Sequence, residues 1–120
     1  MRVLVVDDNK SMRQLIRRLV SSCADQIDEC SDGEDALAIY KRYRPDWVLM
    51  DISMKQTDGL EATTRIKAVD ANARIVIVTQ YDHPNLRKAA ASAGACAYVL
   101  KEDLMEIPRI LLELGTEHPG

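Results

Sequence analysis

Short apolar blocks and longer amphipathic ones take turns along this chain from end to end. The apolar blocks lie at residues 3–6, 47–50, 75–78 and 97–100, with a weaker one at 27–30. Within each, the apolar residues are continuous rather than alternating, the pattern of strands covered on both faces. Between them the period lengthens to that of a helix. Met12, Leu15, Ile16, Leu19 and Val20 fall at i, i+3, i+4, i+7 and i+8, one apolar stripe. Ser11 with Gln14 has the spacing of a capping box, and Asn9 competes with it as the cap.

Ala36, Leu37, Tyr40 and Tyr43 form a second stripe behind an Asp32 cap, and Pro45 stops it ahead of Trp47. A third helix is predicted from Gly59 to about Val69, through Leu60, Thr63 and Ile66. A fourth runs from about Asn85 to Ala93 and is closed by Gly94. The last stripe carries Leu104, Ile107, Ile110, Leu111 and Leu114, with Gly115 as its C-terminal signal. Pro108 lies inside that stripe, so the helix starts or kinks there, because proline has no N–H and clashes mid-helix. Residues 116–120 should fray or begin a linker.

Five β-α repeats imply a parallel sheet with helices on both faces and right-handed crossovers. In such α/β folds the ligand site lies at the carboxyl ends of the strands. The functional reading therefore belongs to the residues just after each strand.

Composition narrows the picture little. The 120 residues suit one domain with a real core, and 47% hydrophobic with 29% charged is ordinary for a globular protein. A net charge of −3 makes these residues a poor ligand for nucleic acid. No run approaches the roughly 18 apolar residues that span a bilayer. The first block meets Asp7 and Asp8 at once, unlike a signal peptide. A cytoplasmic protein with no membrane partner is expected. Cys23, Cys30 and Cys96 lack C-x-x-C spacing and are expected to be buried, reduced residues.

Strand one ends in Asp7-Asp8, strand three in Asp51, strand four in Thr79 and strand five in Lys101. Alone, an acidic pair is more often a cap or a solvated loop, Thr79 a strand-end hydroxyl and Lys101 a surface charge. Together they differ. Three carboxylates near one point repel, each pair by on the order of 3 kcal/mol at roughly 5 Å and an effective dielectric near 20. Such a gathering needs a cation, and an all-oxygen anionic site suits Mg²⁺ or Mn²⁺. With a lysine for phosphate oxygens and a hydroxyl donor, the set is that of a phosphoryl-transfer site.

Those positions, with the Asp32-Gly33, Asp58-Gly59 and Ala93-Gly94-Ala95 steps and the run Tyr98-Val99-Leu100-Lys101, resemble the receiver domain of two-component response regulators over about residues 1–115. The resemblance implies a flavodoxin-like (βα)5 domain with strand order 2-1-3-4-5. It implies Asp51 as phosphoacceptor from a histidine kinase or phosphotransfer protein. Mg²⁺ would sit on Asp8, Asp51 and the Ser53 backbone carbonyl, with Asp7 acting mostly through water. Lys101 would hold a phosphate oxygen, and Thr79 and Tyr98 would form the switch. The output and a homodimer would use the face of the fourth helix, fifth strand and fifth helix. Ser53 and Tyr81, two positions after Asp51 and Thr79, would tune dephosphorylation, unless Tyr81 is only a half-buried loop aromatic.

Two positions depart from the family pattern. Lys55 stands where proline is usual, and Glu102 follows Lys101 where proline is common. Lys101-Glu102-Asp103-Leu104 is similar to the subfamily whose receivers precede a helix-turn-helix domain, so a DNA-binding domain downstream is one expected output. A pseudo-receiver is disfavoured because every signature residue is present. A phosphohydrolase would show Asp-x-Asp where this chain has Asp51-Ile52-Ser53. A flavin or nucleotide domain would need a Gly-rich phosphate loop where this chain has Asp7-Asp8-Asn9.

Overall fold

Alternate residues of the central strands enter two separate cores, which is why their apolar runs are unbroken. In the computed structural model, which describes residues 1–54 and 58–116, β1 (Arg2–Val6), β2 (Gln26–Cys30), β3 (Trp47–Met50), β4 (Ile75–Thr79) and β5 (Ala97–Leu100) form one parallel sheet. The strand order is β2-β1-β3-β4-β5, as expected. Leu4, Val6, Val48, Met50, Ile75 and Ile77 face one core, which α2 (Gly33–Tyr43), α3 (Gly59–Val69) and α4 (Pro84–Ala93) close with Ala36, Tyr40, Ala62, Ile66 and Ala90. Val3, Val5, Trp47, Leu49, Val76, Val78 and Val99 face the other, closed by Ile16 and Val20 of α1 (Lys10–Val20) and by Ile107 and Leu111 of α5 (Ile107–Thr116). β2 reads weakly because it is an edge strand, with no residue fully buried and its charged side chains paired to arginines.

The helix boundaries follow local chemistry. Asn9, not Ser11, caps α1, accepting the Met12 N–H at 3.0 Å. Asp32 and Asp58 cap α2 and α3 in the same way. α4 begins one residue earlier than the pattern predicts, with Pro84 in its first turn and the His83 ring as the cap. Gly94 ends it at φ +105°, where a side chain would be strained. A 3₁₀ segment, Lys101–Glu106, precedes α5, and Pro108 occupies that helix's first turn, where its missing N–H costs nothing. α5 runs one residue past Gly115.

Two expectations need correction. Leu15 and Tyr43, each on a predicted apolar stripe, are exposed, and Tyr43 stacks with Arg2, whose guanidinium lies 4.1 Å from the ring centre. Cys23 and Cys30 are half-buried rather than buried, and Cys96 is exposed, because it lies in the turn into the edge strand β5, with its backbone anchored to Ile75. The Lys55 departure and residues 117–120 of the tail lie outside the described residues.

Candidate functional site

β1 and β3 are neighbours in the middle of the sheet, and their register pairs Val6 with Met50. The next residue of each strand is therefore an aspartate, and Asp7 and Asp51 emerge side by side. The Asp51 N–H still bonds the Val6 carbonyl at 2.9 Å. Asp7, Asp8 and Asp51 each offer a carboxylate oxygen within 4.8 Å of the others. Asp7 and Asp51 are buried and Asp8 is exposed.

Lys101 arrives from β5, two strand spacings or roughly 10 Å from β3, a gap that the lysine and aspartate side chains close between them. Its Nζ lies 3.0 Å from Asp7 Oδ2 and 3.5 Å from Asp51 Oδ2. Burial alone would lower the Lys101 pKa. The ion pair with Asp7 and the charges of Asp51 and Asp7 outweigh it, so the net shift is upward and the ammonium stays charged. Burial, then the charge of Asp7, pushes the Asp51 carboxyl up to about 6, against the opposing pull of Lys101 and the Ser53 backbone N–H. One lysine does not balance three carboxylates.

An open pocket of about 390 Å³ lies above these groups, lined by Asp8, Asn9, Asp51, Ser53, Met54, Gln80, Tyr81 and Lys101. The buried Asp7 Oδ2 has no aligned hydrogen-bond donor despite its ion pair with Lys101. Clustered hard oxygens, one of them lacking a donor, fit a divalent cation such as Mg²⁺.

Thr79 is fully buried and does not line the pocket. Its hydroxyl accepts the Tyr81 N–H at 3.3 Å. Tyr98, half-buried on β5, donates its hydroxyl to the Tyr81 carbonyl at 2.6 Å. Tyr81 thus stands between the two, through its own peptide groups. The residue is 42% exposed, and hydrogen bonding with Gln80 and then Ser53 lowers its phenol pKa.

Sequence reasoning named Gly59 only as a helix start and part of the Asp58-Gly59 step, and missed Arg13. A Cβ on Gly59 would sit 1.8 Å from the Asp51 carbonyl oxygen, so only glycine lets α3 start against the site. Arg13 on α1 donates to the Asp7 carbonyl at 2.7 Å, a contact that its place on the polar face of a helix does not announce.

Fold and site together define a doubly wound α/β domain whose working edge is an acidic cation pocket served by one lysine. The chain belongs to the response regulator receiver domain family, which it matches over residues 3–111. In that family the domain is the phosphoacceptor of two-component signalling, binds Mg²⁺ at an acidic pocket, and interacts with histidine kinases or phosphotransfer proteins. The chemotaxis protein CheY of Halobacterium salinarum is 42% identical over 99 residues, 82% of each chain. The response regulator MprA of Mycolicibacterium vanbaalenii is 33% identical over 99% of this chain and 53% of its own, so the chain spans about half the length of that relative. Among solved structures, a CheX–CheY–BeF3–Mg²⁺ complex from Borrelia burgdorferi matches with a TM-score of 0.87 at 28% identity, covering 98% of this chain and 90% of that one. No described helix is long and apolar enough to cross a membrane.

Proposed function

We propose that Asp51 takes the phosphoryl group from a phosphohistidine donor, and that Thr79 and Tyr98 carry the change to an output surface. The observation that carries this reading is Lys101 Nζ set 3.5 Å from an Asp51 carboxylate that has Asp7 and Asp8 beside it. An Asp51 oxygen bonds to phosphorus as the bond from phosphorus to the donor's imidazole nitrogen breaks. That nitrogen leaves with the electron pair. Lys101 holds a phosphoryl oxygen, and burial keeps water from competing with Asp51 before transfer. Mg²⁺, or Mn²⁺ in its place, would be held by Asp8, Asp51 and the Ser53 carbonyl, with Asp7 through water, and would neutralise phosphoryl charge.

The phosphoryl group draws the Thr79 hydroxyl away from the Tyr81 N–H. That loosens the peptide to which Tyr98 is bonded and biases the face of α4, β5 and α5. The same face would serve a homodimer, an output partner or, on a longer chain, a following DNA-binding domain. The receiver unit is residues 1–115, it works in the cytoplasm, and its only turnover is of its own phosphoryl group. Water in line with the scissile bond releases inorganic phosphate and restores the carboxylate. Ser53 is too short to orient that water well, and the Tyr81 ring at the pocket rim excludes it.

Acetyl phosphate with Mg²⁺ should add one phosphate to the protein by intact mass and none to Asp51→Asn. Phosphate retained by the variant would move the acceptor elsewhere. Tyr81→Ala should shorten the phosphorylated half-life after donor removal at fixed Mg²⁺, and an unchanged or longer decay would remove Tyr81 from that role.

A further inference from the structure

The Asp7–Asp8 peptide is the joint at which β1 ends and the chain turns over the pocket. Its position is not left to the strand alone. The Asp7 N–H reaches the Cys30 carbonyl at 3.2 Å, which ties the near end to β2. Asp7 Oδ1 accepts the Asn9 N–H at 2.8 Å, which closes the turn into α1. The Asp7 carbonyl accepts from Arg13 Nη1 at 2.7 Å. Arg13 is itself fixed: its Nε meets Glu29 Oε1 at 3.2 Å, and its side chain is 17% exposed.

The carbonyl oxygen and the Asp8 Cα belong to one rigid planar unit. Rotation about the bond before that carbonyl therefore swings Asp8 whenever it moves the oxygen. A charge-assisted bond from a largely buried, two-pronged guanidinium is a strong way to stop the rotation. We infer that Arg13 is a positioning residue for the acidic pocket: by clamping the Asp7 carbonyl against Glu29 of β2, it sets where the Asp8 carboxylate stands and so the affinity for Mg²⁺. This rests on the reading of the site as a Mg²⁺-dependent phosphoacceptor.

Two blander roles make different forecasts. If Arg13 were only an anchor between α1 and β2, Arg17 would share the role, since its Nη1 also meets Glu29, at 3.1 Å, one turn along. Arg17 bonds the Ile27 carbonyl and not Asp7. If Arg13 were only a positive charge near three carboxylates, removing it would tighten Mg²⁺ binding, because one cation would no longer oppose another.

The experiment is calorimetric Mg²⁺ titration of wild type, Arg13→Met, Arg13→Lys and Arg17→Met, with amide spectra of each metal-free protein. Supporting residues behind metal ligands change affinity by roughly tenfold or more. Arg13→Met should therefore weaken Mg²⁺ about tenfold and shift the Asp8 and Asn9 amides before any metal is added. Arg13→Lys keeps the charge but cannot serve both partners, and should weaken binding to a lesser degree. Arg17→Met should bind like wild type. Unchanged or tighter binding by Arg13→Met overturns the inference, as does an equal loss in Arg17→Met. If Arg13→Met does not fold, Arg13→Lys decides alone: weaker than wild type supports the role, and equal affinity overturns it. Wild type that binds no Mg²⁺ overturns both this inference and the functional reading beneath it, whereas normal binding with indifferent Arg13 variants overturns only the inference.

Discussion

The two edges of the sheet carry similar residue types and treat them in opposite ways. At the amino edge, Asp25 takes the N-terminal ammonium, Asp28 takes the Arg2 guanidinium at 2.8 and 3.3 Å, and Asp46 takes the Arg2 backbone N–H at 2.7 Å. Each of these carboxylates has its own donor. At the carboxyl edge, three carboxylates crowd within 4.8 Å, Asp7 and Asp51 share Lys101, and the buried Asp7 Oδ2 lacks an aligned donor. One edge is electrostatically complete and holds the fold. The other is short of positive charge, and that deficit is the chemical asset, because it makes a divalent ion and a phosphoryl group welcome there.

The contrast can be broken most strongly by pH in metal-free protein. The Asp51 carboxyl has its folded-state pKa raised from 3.8 to about 6. The folded state holds that proton more tightly than the unfolded state does. Its contribution is whole below about pH 4 and is lost as pH climbs to about 6, a cost on the order of 2–3 kcal/mol at neutral pH. Asp51→Asn should therefore be more stable than wild type by that order in EDTA at pH 7, and the gap should close at pH 4. Denaturant melts of the pair decide it, and equal stability at both pH values would mean that the edge is not strained by its charges.

Mg²⁺ sharpens the same contrast from the other side. At ten times its dissociation constant an ion bound only by the folded state adds about 1.4 kcal/mol. The melting temperature of wild type should rise accordingly, and that of Asp8→Ala should not. An equal rise in both would remove Asp8 from the cation site. The smallest effect belongs to the amino edge. Arg2→Ala should cost at most about 1 kcal/mol, as partly exposed pairs do, with the same loss with and without Mg²⁺ and normal phosphorylation by acetyl phosphate. A Mg²⁺-dependent loss there would show that the two edges are coupled.

The strands, the helices and the strand-end residues were legible because periodicity and caps are local. Continuous apolar runs announce strands buried on both faces, and Asp32, Asp58 and Gly94 mark helix ends by their own short-range bonds. The choice of Asn9 over Ser11 was open because either could meet an early helical N–H, and only the path of the chain out of β1 selects one. Cys96 was misread because composition says that cysteines are buried, while an edge-strand turn puts this one outside.

By itself the sequence determined which residues would stand at the carboxyl edge. In a parallel sheet each strand must end on the same side, and the residue after the apolar run falls there. Only the tertiary structure decided how those residues meet. The adjacency of β1 and β3 sets Asp7 beside Asp51, and the span across β4 admits Lys101. Contacts between separate elements place Arg13 under the Asp7 carbonyl, Gly59 against Asp51 and the Tyr98 hydroxyl on Tyr81. Local patterns carry no record of such contacts, because each depends on where two separately formed elements dock, and docking is settled by the packing of the two cores.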